Sequence, residues 1–140
     1  MVPKSHIEKG MWLKPSKELK VDCYPDADFA GLWPHKDDQN PTSVKSRTGF
    51  VITLSDCPIL WQSKLQTEIA LSTMEAEYVA LSASCRALFP IIDLVKELGA
   101  ATKLPVKEDV KMHVCIHEDN SGTLTLARLE LPRMTPRSKH

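Results

Sequence analysis

The sequence predicts an α/β fold with a mixed sheet, in which the elements follow the order β-β-β-α-β-α. Three observations predict it. Polar and apolar residues alternate in short stretches, as they do in half-buried strands. A long segment with apolar residues at helical spacing follows the third stretch, and a short capped helix follows the fourth. The 140 residues are enough for one domain at most, which can bury a core if every element of that core is present.

The first three strands are predicted to form an antiparallel meander. Alternation over residues 19–27 indicates strand 1, and the β-branched and aromatic run 48–54 indicates strand 2. Residues 55–58 have the composition of a turn, and 59–64 then returns as strand 3. The prolines and polar residues of 32–47 predict a loop between strands 1 and 2.

The long helix is predicted to begin after Ser72 and to end at Leu98. Ser72 and Glu75 have the S-x-x-E spacing of a capping box, which gives Glu75 a structural role in the first turn. Gly99 is the expected C-cap. Pro90 lies within the apolar pattern, and we expect a kink or a break there.

The second half of the chain supplies one more strand and one more helix. Residues 110–116 alternate as strand 4, and Asn120 and Ser121 can cap a helix that runs to about Arg128. A right-handed crossover through the long helix places strand 4 beside strand 1 and parallel to it. The carboxyl ends of the two strands then meet at one edge of the sheet.

Composition and charge narrow the class of protein only slightly. The 18 basic and 18 acidic residues balance, so a polyanion would have to bind at a local basic patch. The four cysteines lie far apart without a C-x-x-C pair, which is typical of reduced thiols inside the cell. No apolar run approaches the roughly 20 residues of a membrane span, and no secretory signal is evident. We therefore expect an intracellular protein that is neither secreted nor membrane-bound.

Three acidic residues are expected to converge at the shared edge of strands 1 and 4. Asp26 ends strand 1 and Asp119 follows strand 4, while the helical phase turns Glu77 toward the protein and Glu75 toward solvent. Ligands that are all oxygen suit Mg²⁺ or Mn²⁺, and a pair of such ions can clamp the attacking water and the leaving oxygen of a phosphodiester. On spacing alone, turn or capping roles for the two aspartates are an equal alternative.

Five phrases of the sequence carry a family resemblance. They are Y-P-D-A-D-F-A-G (24–31), S-R-T-G-F (46–50), W-Q-S-K-L-Q-T-E-I-A-L-S-T-M-E-A-E-Y-V-A-L-S (61–82), E-D-N-S-G (118–122) and R-S-K-H (137–140). In this order they resemble the ribonuclease H domain of copia-type retrotransposon polyproteins. Residues 1–18, with K-G-M-W-L-K-P at 9–15, resemble the linker from the reverse transcriptase connection, so 19–140 would be the ribonuclease H-like domain.

The resemblance implies a ribonuclease H-like fold and hydrolysis of the RNA strand of RNA/DNA hybrids with two Mg²⁺ (or Mn²⁺) ions. Asp26, Glu77 and Asp119 match the first three catalytic carboxylates, and Asp28 matches an auxiliary metal-site or loop position. The family's fourth catalytic aspartate lies on a later helix, after one further strand, and the sequence ends at His140 before either. We therefore expect an incomplete domain, lacking the last strand and helix, that binds metal weakly and cleaves inefficiently.

The implied partners are an RNA/DNA hybrid and the reverse transcriptase domain of the same polyprotein, in a cytoplasmic particle or the nucleus. Asn120 and Ser121 match positions where substrate contact and helix capping are equal expectations. Alternatives to a nuclease are a non-catalytic retrotransposon remnant and a nucleic-acid-binding module. Candidates for contacts with phosphate or sugar are Arg47, Lys64, Lys45 and Gln66, although solvated surface is the favoured interpretation for any single one of them.

Overall fold

A computed structural model of the protein describes residues 10–31, 43–102 and 112–129. The first half of the predicted linker, most of the loop between the first two strands, the start of predicted strand 4 and the R-S-K-H phrase lie outside the described residues. All structural statements below concern the described part of the chain.

The predicted order of elements is confirmed. The elements are β1 (Lys20–Asp28), β2 (Arg47–Leu54), β3 (Cys57–Leu65), α1 (Thr73–Thr102), β4 (His113–Ile116) and α2 (Ser121–Ala127). Strand β3 begins two residues earlier than predicted because the preceding turn is tighter. Ser55 and Asp56 alone connect the strands, with φ values of 50° and 67°. Positive φ at both central residues is the geometry that matches the twist of a two-residue hairpin.

The sheet is mixed and its strands lie in the order β3-β2-β1-β4. β1 pairs antiparallel with β2 and parallel with β4, and β2 pairs antiparallel with β3. The crossover through α1 therefore returns the chain beside β1, as the sequence predicts. Since β1 and β4 are parallel, their carboxyl ends reach the same edge of the sheet.

Helix α1 covers one face of the sheet. The core between them consists of Val21, Cys23, Phe50, Ile52 and Leu88. All four cysteines are free thiols, as predicted, although Cys23 is the only one that is fully buried. The helix buries small side chains at a spacing of four residues, which lets its backbone approach the strands closely. Its buried residues are Ala76, Ala80, Ser84 and Leu88.

The other face of the sheet is open to solvent where the structure describes it. Tyr24, Val51 and Trp61 pair in register across three strands and form one row on this face. Their exposed fractions are 45%, 38% and 66% respectively. We call this side the open face. Its strand positions are those that alternate with the core residues, so Asp22 and Asp26 of β1 belong to it as well.

The start of α1 matches its prediction. The backbone N–H of Glu75 donates to Ser72 Oγ at 3.1 Å, and Glu75 Oε2 accepts from the N–H of Leu71 at 2.7 Å. This is a capping box whose return bond reaches one residue beyond the cap. The expected structural role of Glu75 is therefore confirmed.

Two expectations for the rest of α1 are wrong, namely a break at Pro90 and an end of the helix at Leu98. The helix continues through Pro90 to Thr102, without a break at the proline and without a left-handed glycine at Gly99. Arg86 and Pro90 are both exposed, so water can reach the carbonyl that the proline leaves without a donor. Packing of Leu88 on the sheet holds the chain helical up to the proline.

One membrane expectation also needs correction. Among the described residues, α1 is long enough and apolar enough to cross a membrane by length and composition alone. Between Glu77 and Asp93, Arg86 is the only charged residue of this helix. A helix that packs on a sheet passes the same test, and α1 packs on β1 and β2.

Candidate functional site: a carboxylate cluster

The shared edge of β1 and β4 is where the acidic side chains lie. Asp26 is near the carboxyl end of β1, and Glu118 and Asp119 follow directly after β4. The first turns of α1 lie at the same edge because α2 holds them there. Thr123 Oγ1, in α2, donates to the carbonyl of Met74 at 3.1 Å.

A second anchor holds α1 to the strands. Gln66, just after β3, is 6% exposed, and its Nε2 donates to the carbonyl of Ala76 at 2.9 Å and to Thr48 Oγ1 at 3.1 Å. Both donor hydrogens of the amide are thus used inside the protein. The prediction that Gln66 is a surface contact for nucleic acid is wrong, and its role in this structure is to fix the start of α1 against β2.

Glu77 faces the other acidic residues, as its helical phase predicts. Burial is the largest cause that raises the pKa of Glu77 to about 7, and the charges of Glu118, Asp26 and Asp119 raise it further. The backbone N–H of Ala27, in β1, opposes the shift by hydrogen bonding to the carboxylate. Oε2 of Glu77 is buried and finds no hydrogen-bond donor among the described residues.

Glu118 is a member of this cluster that the sequence analysis missed. Burial raises its pKa, as do Asp119 and Asp26, against an opposing hydrogen bond from the N–H of Asn120. That bond, to Oε1, is 3.1 Å long, while Oε2 is buried with no donor in the described part of the chain. The alternation of side chains along β4 indicates the inward position of Glu118. Glu118 continues the phase of Ile116, which packs against the core beneath α1.

The predicted metal ligands stand apart in this structure. Among the described residues, one group of three donors lies within 4.8 Å of one another, and it consists of other residues. The charges of Asp26 and Asp119 are therefore close enough to raise the pKa of Glu77. The donor oxygens of the three side chains are nevertheless not all within 4.8 Å of one another. Repulsion between like charges favours such a spacing. We define the carboxylate cluster as Asp26, Glu77, Glu118 and Asp119.

Asp28 has a local contact that explains its position without a metal. Its carboxylate lies where a side chain at Gly31 would be, so a residue larger than glycine there would displace it. Asp28 is not among the groups that affect the pKa of Glu77. Of the two roles expected for Asp28, this contact corresponds to the loop residue.

The predicted substrate residues divide between the two faces of the sheet. Arg47 pairs in register with Asp28 and shares the open face with Asp26, whereas Lys64 pairs with Thr48 and lies on the face that carries α1. The ammonium of Lys45 donates to the carbonyl of Thr67 at 2.7 Å.

Asn120 and Ser121 begin the second helix. Asn120 Oδ1 accepts from the N–H of Thr123 at 3.0 Å, which makes Asn120 the N-cap of α2. Ser121 is the first residue of α2 and is exposed beside the carboxylate cluster. Capping, one of the two roles expected for this pair, is therefore present for Asn120.

The fold and the cluster together define an α/β polypeptide with four acidic side chains at one sheet edge. Curated proteins from plant transposons are similar to this chain. The chain is 42% identical to a retrovirus-related Pol polyprotein from transposon TNT 1-94 of Nicotiana tabacum over 71% of its length. It is 34% identical to those from transposons RE1 and RE2 of Arabidopsis thaliana, over 69% and 70% of its length.

The chain thus has homologues among the retrovirus-related Pol polyproteins of plant transposons, and this similarity supports a retroelement origin. It spans 8% of the tobacco polyprotein and 6% of each Arabidopsis polyprotein. No family model and no solved structure matches the chain.

Proposed function

We propose that the chain is a ribonuclease H-like domain of a retroelement Pol polyprotein and that its activity is metal-dependent hydrolysis of the RNA strand of RNA/DNA hybrids. The observation that carries the proposal is the inward carboxylate of Glu77, whose pKa is raised to about 7 by burial and by Glu118, Asp26 and Asp119. Four carboxylates at one edge are costly for a structure, and a divalent cation would offset that cost.

The chemistry of these donors suits such a cation, although Asp26, Glu77 and Asp119 would have to move closer together to share one ion. Buried oxygens of Glu77 and Glu118 have no hydrogen-bond donor among the described residues. None of the ion pairs in that part of the chain involves the carboxylate cluster. Ligands that are all carboxylate oxygen suit Mg²⁺ or Mn²⁺, which when bound would polarise a phosphate and activate water. Asp26, Glu77 and Asp119 would hold the ion, and Glu118 adds to the negative charge around it.

Two groups near the carboxylate cluster would have further roles in this proposal. The N–H of Ala27 would orient the carboxylate of Glu77, and Arg47, on the face of Asp26, would contact a phosphate of the hybrid. Recognition would rest on backbone shape and the 2′-hydroxyls of RNA rather than on bases. In this proposal the partner inside the polyprotein is a reverse transcriptase domain, and the setting is intracellular.

A cleavage assay tests the proposal with a matched pair of variants. The chain is incubated with a labelled RNA/DNA hybrid and Mg²⁺ or Mn²⁺, and RNA fragments are counted over time. Glu77→Gln and Asp119→Asn should abolish cleavage because each removes a metal ligand. Glu75→Gln is the control, since glutamine keeps the acceptor that bonds the N–H of Leu71. That variant should cleave at the rate of the unaltered chain.

Two outcomes would count against hydrolysis at this site. Cleavage that persists in Glu77→Gln would show that the carboxylate cluster is not the centre. Failure to cleave, both by the chain and by the chain extended with the strand and helix that carry the family's fourth aspartate, would refute the activity. Hybrid binding that weakens with salt but survives Asp26→Asn would then favour a binding module. Absence of both cleavage and binding would favour a non-catalytic remnant.

A further inference from the structure

Asp22, Cys115 and His117 form a second cluster, on the open face between β1 and β4. One donor atom of each lies within 4.8 Å of the others. The sheet brings them together, since Asp22 pairs in register with Cys115, and the N–H of His117 donates to the carbonyl of Cys23 at 2.8 Å. Positions 115 and 117 project to the same side of the strand because the side-chain period is two.

The carboxylate of Asp22 is the feature that structure alone leaves unexplained. Its side chain is only 7% exposed, and Oδ1 lies 2.8 Å from Nε2 of His117. Oδ2 is buried with no hydrogen-bond partner among the described residues. The ammonium of Lys20 is 3.8 Å from Oδ2, beyond hydrogen-bond distance, and is held by Asp56 at 2.6 Å. A buried carboxylate oxygen in this state is costly unless a cation or a further donor meets it.

The other two donors have capacity to spare. Cys115 Sγ has only a 3.9 Å contact with the carbonyl of Ile116, which is a weak thiol hydrogen bond. The ring of His117 stacks on Tyr24 with centroids 4.4 Å apart and planes 7° apart. This stacking fixes the orientation of the imidazole. A carboxylate of β1, a thiol of β4 and the imidazole just after β4 therefore lie close together, within 4.8 Å of one another.

We propose that Asp22, Cys115 and His117 bind a Zn²⁺ ion that joins β4 to β1. Zn²⁺ takes oxygen, sulfur and nitrogen ligands at about 2.0–2.3 Å in a tetrahedral arrangement. Ligand atoms in that geometry are about 3.3–3.8 Å apart, so side-chain rotations that close the cluster by roughly 1 Å are sufficient. On binding, the thiol of Cys115 releases its proton to water, and His117 binds through Nε2 as a neutral imidazole whose proton is on Nδ1. The hydrogen bond between His117 and Asp22 is thereby replaced by metal bonds.

The site has three protein ligands, which leaves a fourth position for water on the open face. It is separate from the carboxylate cluster in residues and in chemistry. A thiolate and an imidazole select a softer ion than carboxylates do. The proposal therefore stands whether or not the chain hydrolyses RNA.

Titration with Zn²⁺ alone, in competition with a chromophoric chelator, tests the site under reducing conditions. We expect one Zn²⁺ per chain, and a loss of affinity of about 100-fold or more in Cys115→Ser and in His117→Gln. The matched control is Cys57→Ser, which removes a half-buried thiol outside the cluster and should bind as the unaltered chain does. Hydrogen exchange at β4 should slow when Zn²⁺ is added, because the metal fixes this four-residue edge strand to β1.

The spectrum of Co²⁺ in the unaltered chain keeps the proposal testable if a variant does not fold. Bound at this site, Co²⁺ should show the charge-transfer band of a thiolate ligand and the visible bands of tetrahedral geometry. A spectrum without the thiolate band would overturn the proposal. So would Zn²⁺ binding that Cys115→Ser leaves unchanged and Glu77→Gln abolishes, since the ion would then occupy the carboxylate cluster.

Discussion

Replacing Glu77 with glutamine removes one negative charge from the carboxylate cluster and keeps the length of the side chain. The folded protein holds the proton of Glu77 more strongly than the unfolded chain, because its pKa is about 7 against an ordinary value of 4.5. The free energy of unfolding should therefore fall as pH rises between these two values. Glutamine resembles the protonated acid, so Glu77→Gln should be the more stable protein above neutral pH.

The size of the effect follows from the same pKa. A difference of about 2.5, from 4.5 to about 7, corresponds to roughly 3.4 kcal/mol at 1.36 kcal/mol for each pKa unit. That figure is an upper limit because Glu77 is only partly buried and solvent screens the charges around it. We expect Glu77→Gln to gain about 1–2 kcal/mol above neutral pH and close to nothing near about pH 4.5.

Urea denaturation in the presence of a chelator measures this gain. The free energy of unfolding of the unaltered chain and of Glu77→Gln is compared at about pH 4.5, 6 and 8, so that other titrating groups cancel in the difference. Glu75→Gln is the control on the same helix. Its carboxylate accepts the N–H of Leu71 rather than facing the cluster, so Glu75→Gln should not be more stable than the unaltered chain.

Two results of the unfolding measurements would contradict this prediction for Glu77→Gln. If Glu77→Gln were no more stable than the unaltered chain at about pH 8, the carboxylate of Glu77 would not be strained by burial and by its neighbours. Equal gains at about pH 4.5 and about pH 8 would have the same meaning, because they would come from packing or propensity rather than from charge.

Two further predictions concern the elements that position the cluster. Leu88→Ala should lower the free energy of unfolding by about 2–5 kcal/mol, since Leu88 is fully buried. Phe89→Ala, at a side chain that is 58% exposed, should lower it by less than about 1 kcal/mol. Equal losses in thermal unfolding would contradict the assigned face of α1. Asn120→Ala should destabilise the protein by about 1 kcal/mol because it removes the N-cap hydrogen bond to Thr123, and Asn120→Ser should restore most of that loss. If urea unfolding showed no such rescue by serine, the capping role would be refuted.

Alternation and helical phase predicted most of the fold from the sequence. Alternation along β1 separates Val21 and Cys23, which are buried in the core, from Tyr24 on the open face. The crossover rule places β4 beside β1. Periodicity fails where local and tertiary signals conflict. Pro90 and Gly99 are ordinary stop signals for a helix, and in α1 both lie inside it.

The candidate site could be predicted in outline for a physical reason. The carboxyl ends of parallel neighbouring strands meet at one edge, so Asp26 and Asp119 are brought together by topology alone. The phase of α1 turns Glu77 toward them. The sequence prediction names Asp119 alone after strand 4, although the alternation sends Glu118 to the opposite side, in the phase of Ile116. Gln66 was misassigned because its burial depends on contacts between β2, β3 and α1 that no sequence pattern displays.

The same alternation explains why one short strand can serve two clusters of different chemistry. Cys115 and His117 project to the open face, where Asp22 meets them, while Glu118 continues the phase of Ile116 toward α1 and Glu77. A thiolate and an imidazole favour Zn²⁺, and a set of carboxylates favours Mg²⁺ or Mn²⁺. Zn²⁺ also binds carboxylates more tightly than Mg²⁺ or Mn²⁺ does, so the amount of Zn²⁺ matters. A stoichiometric amount would go first to the softer cluster, because of its thiolate and imidazole, and would leave the carboxylate cluster to the harder ion.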